Sequence, residues 1–457
     1  MQFKNTLLAI SALVSAAIWA PQAQAIPAFA RQVGMACSAC HYQHFPVLNS
    51  FGRAFKENGY TMIGAQDKVE DTTAPGVSIP AVLNAALVGY VAYQKTNGPS
   101  TPNGTGTAVN PTNETSKNSN DGQLLNPQQV SLFLGGRAGE HVGFEAEINL
   151  TSASSGTIPD GTIGLIRFKV PFVYDVGNVH AGIVPFSTGL GAADSFEVLN
   201  TGAVAVHAFN QADMGSVSAQ QYINTASPAN GVAFIASNDD FFANVAKWGA
   251  SQGAGSSGAP SSNYFRGAWT TGLIPNFDSA IGFQVWNGVS AVDPGATLDP
   301  TTLVPTFSGV VDTKASAVDA QMMGDVGGMP LLLVVSYAKA PAETDNPNLF
   351  NQGTFDRSSF NIGAELGVLP GKATLQLAMR QAKSGGYVDP VNSAGGNASD
   401  NAILVGVTYN IALNIRGELT YSKYSGDMYN TSNQQYAAAN GGYMGDQFTM
   451  VDLAFGF

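Results

Sequence analysis

The strongest constraint on what this chain can become is a period-two alternation toward its C-terminus. Phe360, Ile362, Ala364, Leu366 and Val368 alternate with Ser359, Asn361, Gly363, Glu365 and Gly367. After a Pro370-Gly371 turn, Ala373, Leu375, Leu377 and Met379 alternate with Thr374, Gln376, Ala378 and Arg380. Leu413, Ile415, Gly417, Leu419 and Tyr421 alternate with Asn414, Arg416, Glu418 and Thr420. The last residues set Val451, Leu453, Phe455 and Phe457 opposite Asp452, Ala454 and Gly456. Successive side chains of a strand point to opposite faces, so each run is an amphipathic strand. A soluble sandwich would bury the apolar face, whereas a transmembrane barrel would turn it to lipid.

Composition and chain layout favour the barrel. Charged residues make up 11% of the chain, against about 25% in ordinary domains. Glycine is abundant (52 residues) and hydrophobic content is still 44%. Beyond the N-terminal leader no run of 18 or more apolar residues occurs, which argues against helical membrane spans. Short turns alternate with long polar stretches at 96–125, 252–261, 288–301, 341–356, 383–399 and 425–445, which read as surface loops. The chain also ends in an aromatic residue on an amphipathic strand. Strand-like windows number 18, from 80–94 to 446–457, with 216–224 and 303–313 among them. Some of these are expected to be insertions. Single-chain barrels have even strand numbers, so the expectation is a mainly β, transmembrane antiparallel outer-membrane β-barrel of about 16 strands, with 14 and 18 as alternatives. The net charge of −12 argues against a nucleic-acid partner. It fits a cation-attracting surface or pore.

The N-terminal part follows other rules. Lys4, the apolar run Leu7 to Ala20, and Ala23-Gln24-Ala25 read as a signal peptide over 1–25, with cleavage near Ala25. Residues 26–70 read as a small helical unit, 71–79 as a linker and 80–457 as the porin-like barrel. The unit holds the only two cysteines of the chain, in Cys37-Ser38-Ala39-Cys40-His41. C-x-x-C-H is the attachment signature of c-type haem. Two cysteines on one helical turn can each form a thioether, and the next residue offers its imidazole to the iron. A C-x-x-C disulfide and half a zinc site are the competing readings. Zinc would want further ligands at a suitable spacing, and no second cysteine pair exists. A thioredoxin-like site would sit in a βαβ pattern, which is absent.

Pro46 is expected to open a second helix that Gly59 ends, with Leu48, Phe51 and Phe55 forming its apolar stripe. So short a unit buries little apolar surface alone, so it needs the rest of the chain as support. The economical arrangement puts it inside the barrel or at its mouth, plugging the lumen.

The run PAFARQVGMACSACHYQHFPVLNSFGRAFKENGY, followed by a barrel, resembles the fused cytochrome–porin family of Fe(II)-oxidising bacteria. The sharp likeness covers about 35 residues. It implies one covalently attached haem c, with Cys37 and Cys40 as thioether sites and His41 as proximal iron ligand. It also implies that Phe29, Ala30, Arg31, Phe45, Pro46, Phe51, Gly52 and Phe55 pack or scaffold the haem. The implied activity is of iron:cytochrome oxidoreductase type. Extracellular Fe(II) is the implied donor, and a periplasmic c-type cytochrome or a cupredoxin is the implied acceptor. No iron-binding residue carries over.

The distal ligand stays open. Met62 lies 21 residues beyond His41, after the second helix, where the chain can turn back. His44 is the alternative, although it follows His41 on nearly the same helical face. A barrel-supplied ligand, or none, completes the set. The loop acids Asp239, Asp240, Glu343 and Asp345 could attract Fe²⁺, and His141, His180 and His207 read as isolated residues. Two other functions compete with electron transfer: a diffusion porin with an accessory cytochrome, and a haem peroxidase-like enzyme.

Overall fold

The computed structural model describes residues 28–64, 66–70, 78–97, 122–152, 164–202, 214–252, 260–272, 274–292, 309–386, 396–429 and 445–457. The leader 1–25, most of the linker and His207 lie outside them. A short ribbon pairs β1 (Lys68–Glu70) with β2 (Ser78–Pro80). The barrel then runs through β3 (Ala85–Thr96), β4 (Gln123–Arg137), β5 (Gly143–Ser152), β6 (Gly164–Lys169), β7 (Phe172–Val176) and β8 (Val179–Thr188). It continues with β9 (Ala229–Ser237), β10 (Phe241–Gly249), β11 (Ser262–Thr271) and β12 (Phe277–Asn287). A second ribbon, β13 (Val289–Val292) with β14 (Gly309–Asp312), stands apart from the ring. The ring resumes with β15 (Ala315–Val326), β16 (Met329–Ala340), β17 (Arg357–Leu369), β18 (Ala373–Ser384), β19 (Asn401–Ala412), β20 (Ile415–Ser425) and β21 (Gln447–Gly456).

The sheet is a closed antiparallel barrel. β6 and β7 both pair with β8 and act as one strand broken at Pro171, which has no N–H to give the ladder. The ring therefore has 16 strands. The C-terminal strand β21 closes it by pairing with β3, with Val451 opposite Tyr93. Two of the strand-like windows are insertions. Window 216–224 falls on two helical turns, Met214–Val217 and Ala219–Tyr222, and the described part of 303–313 forms β14 outside the ring. A four-residue helical turn buried on several sides carries no periodicity that separates it from a strand.

Burial is inverted relative to a soluble protein. Along β17, Phe360 and Ile362 are exposed on the outside while Asn361 and Glu365 are fully buried inside. Along β18, Leu375 and Leu377 are exposed while Thr374, Gln376 and Arg380 are buried. Lipid-facing apolar and lumen-facing polar residues of this kind define a membrane barrel. Its two ends differ. Short turns at 177–178, 238–240, 327–328, 370–372 and 413–414 gather at one end, and the long connections lie at the other. In outer-membrane barrels the short turns are periplasmic.

Chain folds into the lumen. The connection between β8 and β9 packs Phe196, Val198, Leu199 and Ile223 against the inward-facing Trp248, Tyr264 and Trp286. Two buried ion clusters hold it. Asp194 takes Arg167 and Lys169, each at 3.0 Å. Arg266 meets Glu197 at 3.1 Å and donates to Asp319 at 2.9 Å.

Candidate functional site

The N-terminal unit comprises a helix, Ala28–Val33, a 3-10 turn, Cys37–Ala39, and a second helix, Ser50–Glu57. Asn49 caps the second helix, its side chain accepting from the Gly52 N–H at 2.9 Å. The helix therefore begins at Ser50, and Pro46 is buried in the preceding turn rather than at the first helical position. The sequence reading put that start too early because an Asn cap satisfies an open N–H, which a proline merely lacks. The helix ends as expected, with Gly59 at φ +65°.

The unit sits in the barrel lumen at the short-turn end, with contacts around the ring. Arg31 donates to the Ala85 carbonyl of β3. Gln32 accepts from the Arg137 N–H at 3.0 Å. Tyr60 donates to Glu145 of β5 at 2.8 Å, and Arg53 meets Asp278 of β12 at 2.5 Å. Tyr42 reaches the carbonyls of Gly324 and Leu331, and Gln43 donates to that of Glu365 at 3.2 Å. Asn200 of the lumen connection clasps Leu48, accepting from its N–H at 2.8 Å and donating to its carbonyl at 2.9 Å. The unit and the β8–β9 connection thus form one two-part plug.

Within the unit, Cys37 to His41 make a single tight turn, with the His41 N–H donating to the Cys37 carbonyl at 2.9 Å. The chain folds straight back: Tyr42 N–H donates to Val47 at 2.8 Å and Asn49 N–H to Cys40 at 2.9 Å. Helix Ser50–Glu57 packs onto this turn through Gly52, where a Cβ would fall 2.2 Å from the Cys40 carbonyl oxygen. Both sulfurs are half-buried free thiols. His41 Nδ1 lies 3.3 Å from the Val47 carbonyl oxygen, and the Phe45 ring meets the imidazole edge-on at 5.2 Å.

These features fit an attached haem. A proton on Nδ1 shared with this carbonyl leaves Nε2 free to bind a metal, the arrangement common to metal-binding histidines. Burial pushes the His41 imidazole down to about 4, so it stays neutral. Burial also pushes both thiols up, opposite to the depressed thiols of a thioredoxin-type C-x-x-C. Met35 and Phe45 flank the turn 43% and 39% exposed, apolar surface that a bound macrocycle would cover.

The other expected site residues divide. Phe29 and Phe55 form the unit's own core with Tyr60, the Phe29 ring stacking on Tyr60 at 4.9 Å. Phe51 is half-buried on the same helix. Met62 packs at the edge of that cluster, beside Val33 and Phe55. His44 is buried and turned to the barrel wall. Its Nε2 lies 2.8 Å from Glu365, and its Nδ1 faces the Phe45 carbonyl and Arg416. In this position His44 fastens the unit to the wall. Among the loop acids, Asp239 and Asp240 lie in a short turn, at the end opposite the long loops, and Glu343 pairs with Lys314 at 3.0 Å. His141 stacks on Tyr174 and His180 pairs with Asp175. Asn200 and Glu197 were not legible as plug residues, since nothing local marks the β8–β9 connection as folding inward.

The class follows: a 16-strand transmembrane β-barrel of the outer membrane, porin-like in construction, whose lumen holds its own N-terminal segment. No protein-family model and no curated protein matches the chain. Solved structures similar to it include OmpT of Vibrio cholerae (8% identity, 86% of this chain and 100% of that one, TM-score 0.46). They also include Salmonella typhi OmpF in complex with daunomycin (11%, 86% and 100%, TM-score 0.49). A third is an anion-selective porin from Comamonas acidovorans (12%, 82% and 100%, TM-score 0.43).

Proposed function

We propose that this barrel is an outer-membrane electron-transfer protein with one covalently attached haem c. When bound, the haem supplies a one-electron iron couple. Cys37 and Cys40 would attach it and His41 Nε2 would bind its iron, with Nδ1 turned to the Val47 carbonyl. Phe45 and Met35 exclude water from that face. Met62 is the proposed distal ligand, which requires it to leave the edge of the Phe29–Phe55–Tyr60 cluster. Thioether ligation at this sulfur raises a haem potential, which suits a weak reductant. Extracellular Fe(II) is the proposed donor. A periplasmic c-type cytochrome or cupredoxin, meeting the short-turn end, is the proposed acceptor. The observation that carries this reading is His41, with the Val47 carbonyl 3.3 Å from its Nδ1, on a two-cysteine turn seated in the barrel lumen.

The test is anaerobic stopped-flow absorbance of the purified, haem-loaded protein mixed with Fe(II). Prompt appearance of a reduced c-type spectrum is expected. Full reduction by dithionite with none by Fe(II) would remove iron as donor. The Cys37→Ala/Cys40→Ala/His41→Ala variant should lose haem yet still reach the outer membrane.

A diffusion porin is the second reading, and the 16-strand ring is what favours it. Against it, inward-facing Asn244, Arg266 and Gln284 are buried, whereas an aqueous channel would wet them. Planar-bilayer recording separates the two, a steady open pore supporting the porin.

A further inference from the structure

The two-cysteine turn ends abruptly. Its 3-10 turn stops at Ala39, so the carbonyls of Ala39 and Cys40 have no helical N–H ahead of them. Asn49 supplies a partner to each. Its side-chain Nδ2 donates to the Ala39 carbonyl at 2.9 Å, and its backbone N–H donates to the Cys40 carbonyl at 2.9 Å. The same side chain turns its Oδ1 the other way and accepts from the Gly52 N–H at 2.9 Å, capping helix Ser50–Glu57. Asn49 thus joins the turn that carries both cysteines to the helix packed over it.

The orientation of this amide is dictated by its neighbours. Reversed, it would set its oxygen against the Ala39 carbonyl and its NH₂ against the Gly52 N–H. Asn, Asp and Ser cap helices about equally well, but of these only Asn offers an acceptor and a donor at two separate atoms. Capping needs the acceptor alone. The donor goes to Ala39, inside the C-x-x-C-H motif. From there His41 runs antiparallel to Leu48, and the Tyr42 N–H donates to the Val47 carbonyl at 2.8 Å. Asn49 follows directly on Leu48 and closes the base of this narrow hairpin. Asn200, which clasps Leu48, and Tyr42, whose hydroxyl reaches the Leu331 carbonyl at 3.3 Å, tie the unit to the rest of the lumen. Asn49 instead ties parts of the unit to one another, Cys40 and His41 on one side and the helix on the other.

We infer that Asn49 is a positioning residue for the haem: its amide donor holds the attachment turn so that the Cys37 and Cys40 sulfurs and the His41 imidazole keep one arrangement. The inference rests on the electron-transfer reading. It adds to that reading a residue that acts through the Ala39 and Cys40 carbonyls and not by ligating iron. Because the helix uses the acceptor and the turn uses the donor, substitution separates the two roles. Asn49→Ser keeps a neutral cap and is too short to reach Ala39 as well. Asn49→Asp keeps the shape and the cap, and replaces the donor with a second acceptor facing the Ala39 carbonyl.

The test uses the full haem-loaded chain in detergent, as wild type, Asn49→Ser and Asn49→Asp, with heat-modifiable gel mobility checking each barrel. Amide hydrogen exchange read by mass spectrometry should stay unchanged in 50–57 and speed up by about fivefold in 37–42, the loss of one hydrogen bond. Redox titration and EPR of the oxidised haem give the second readout. Wild type should show one midpoint and one EPR species. Both variants should shift the midpoint in the same direction and spread the EPR signal over more than one species, because a loosened turn lets the imidazole take more than one orientation. Loss of haem from both variants, with exchange in 50–57 unchanged, supports the same role. Identical midpoints and EPR signals in all three proteins overturn it and leave the electron-transfer reading standing. A shift in Asn49→Asp alone also overturns it, since that reports added charge and not geometry. Wild type without covalent haem overturns the electron-transfer reading itself, and the role of Asn49 with it.

Discussion

At the residue scale, two positions in the N-terminal unit have sharp consequences. Gly52 lets the second helix touch the Cys37–His41 turn. Adding one methyl group at 2.2 Å from the Cys40 carbonyl forces the helix away, and overpacking of this kind costs about 1–3 kcal/mol. Gly52→Ala should lower the melting temperature of the unit and the haem absorbance per barrel, both read on purified protein. Glu57 gives a pH signature. Burial raises its carboxyl to about 7, partly offset by Arg53. The folded state thus holds this proton more tightly than the unfolded chain, where the value is near 4.5. The sign follows from linkage: this contribution is complete below about pH 4.5 and is lost as pH rises through about 7. Plug stability in wild type should fall across that window, and Glu57→Gln should flatten the dependence. A wild-type melting curve insensitive to pH between those limits would contradict the burial of Glu57.

At the scale of elements, the β8–β9 connection is held by charges that cannot be left alone. Arg266 is buried between Glu197 and Asp319, and Thr201 donates to Asp319 at 2.6 Å. Removing the guanidinium strands two buried carboxylates, a loss of about 3–5 kcal/mol. Arg266→Ala should therefore release the connection while the barrel persists, seen as new protease cleavage within 189–228 and an unchanged strand signal by circular dichroism. Because Asn200 clasps Leu48, the same variant should loosen the N-terminal unit. The sequence carries the strands of this scaffold clearly, since one face meets lipid and the other meets polar protein over many repeats. It does not carry the connection. Ala219 to Tyr222 is too short for a helical period to show, and its partners Ser336 and Thr201 lie far away in sequence or outside any repeat.

At the scale of the whole molecule, the N-terminal unit depends on the barrel. The unit has a small apolar core of Val33, Phe55 and Tyr60, edged by Phe29 and Met62, too little to stand alone at this size. It is held further by the wall and by the β8–β9 connection. Deleting 28–64 should leave a barrel that assembles and conducts ions in bilayers severalfold more than the full chain. Equal conductance in both would show that the unit does not obstruct the lumen.

The sequence by itself determined the strands, their inward and outward faces, the even ring and the two-cysteine turn followed by His41. These are local facts, set by alternation, spacing and turn residues, and they survive without knowledge of neighbours. The tertiary structure alone decided that His44 faces Glu365 and that the β8–β9 connection turns inward. Each of these depends on which distant residues closure of the barrel brings face to face, and no local pattern encodes that meeting.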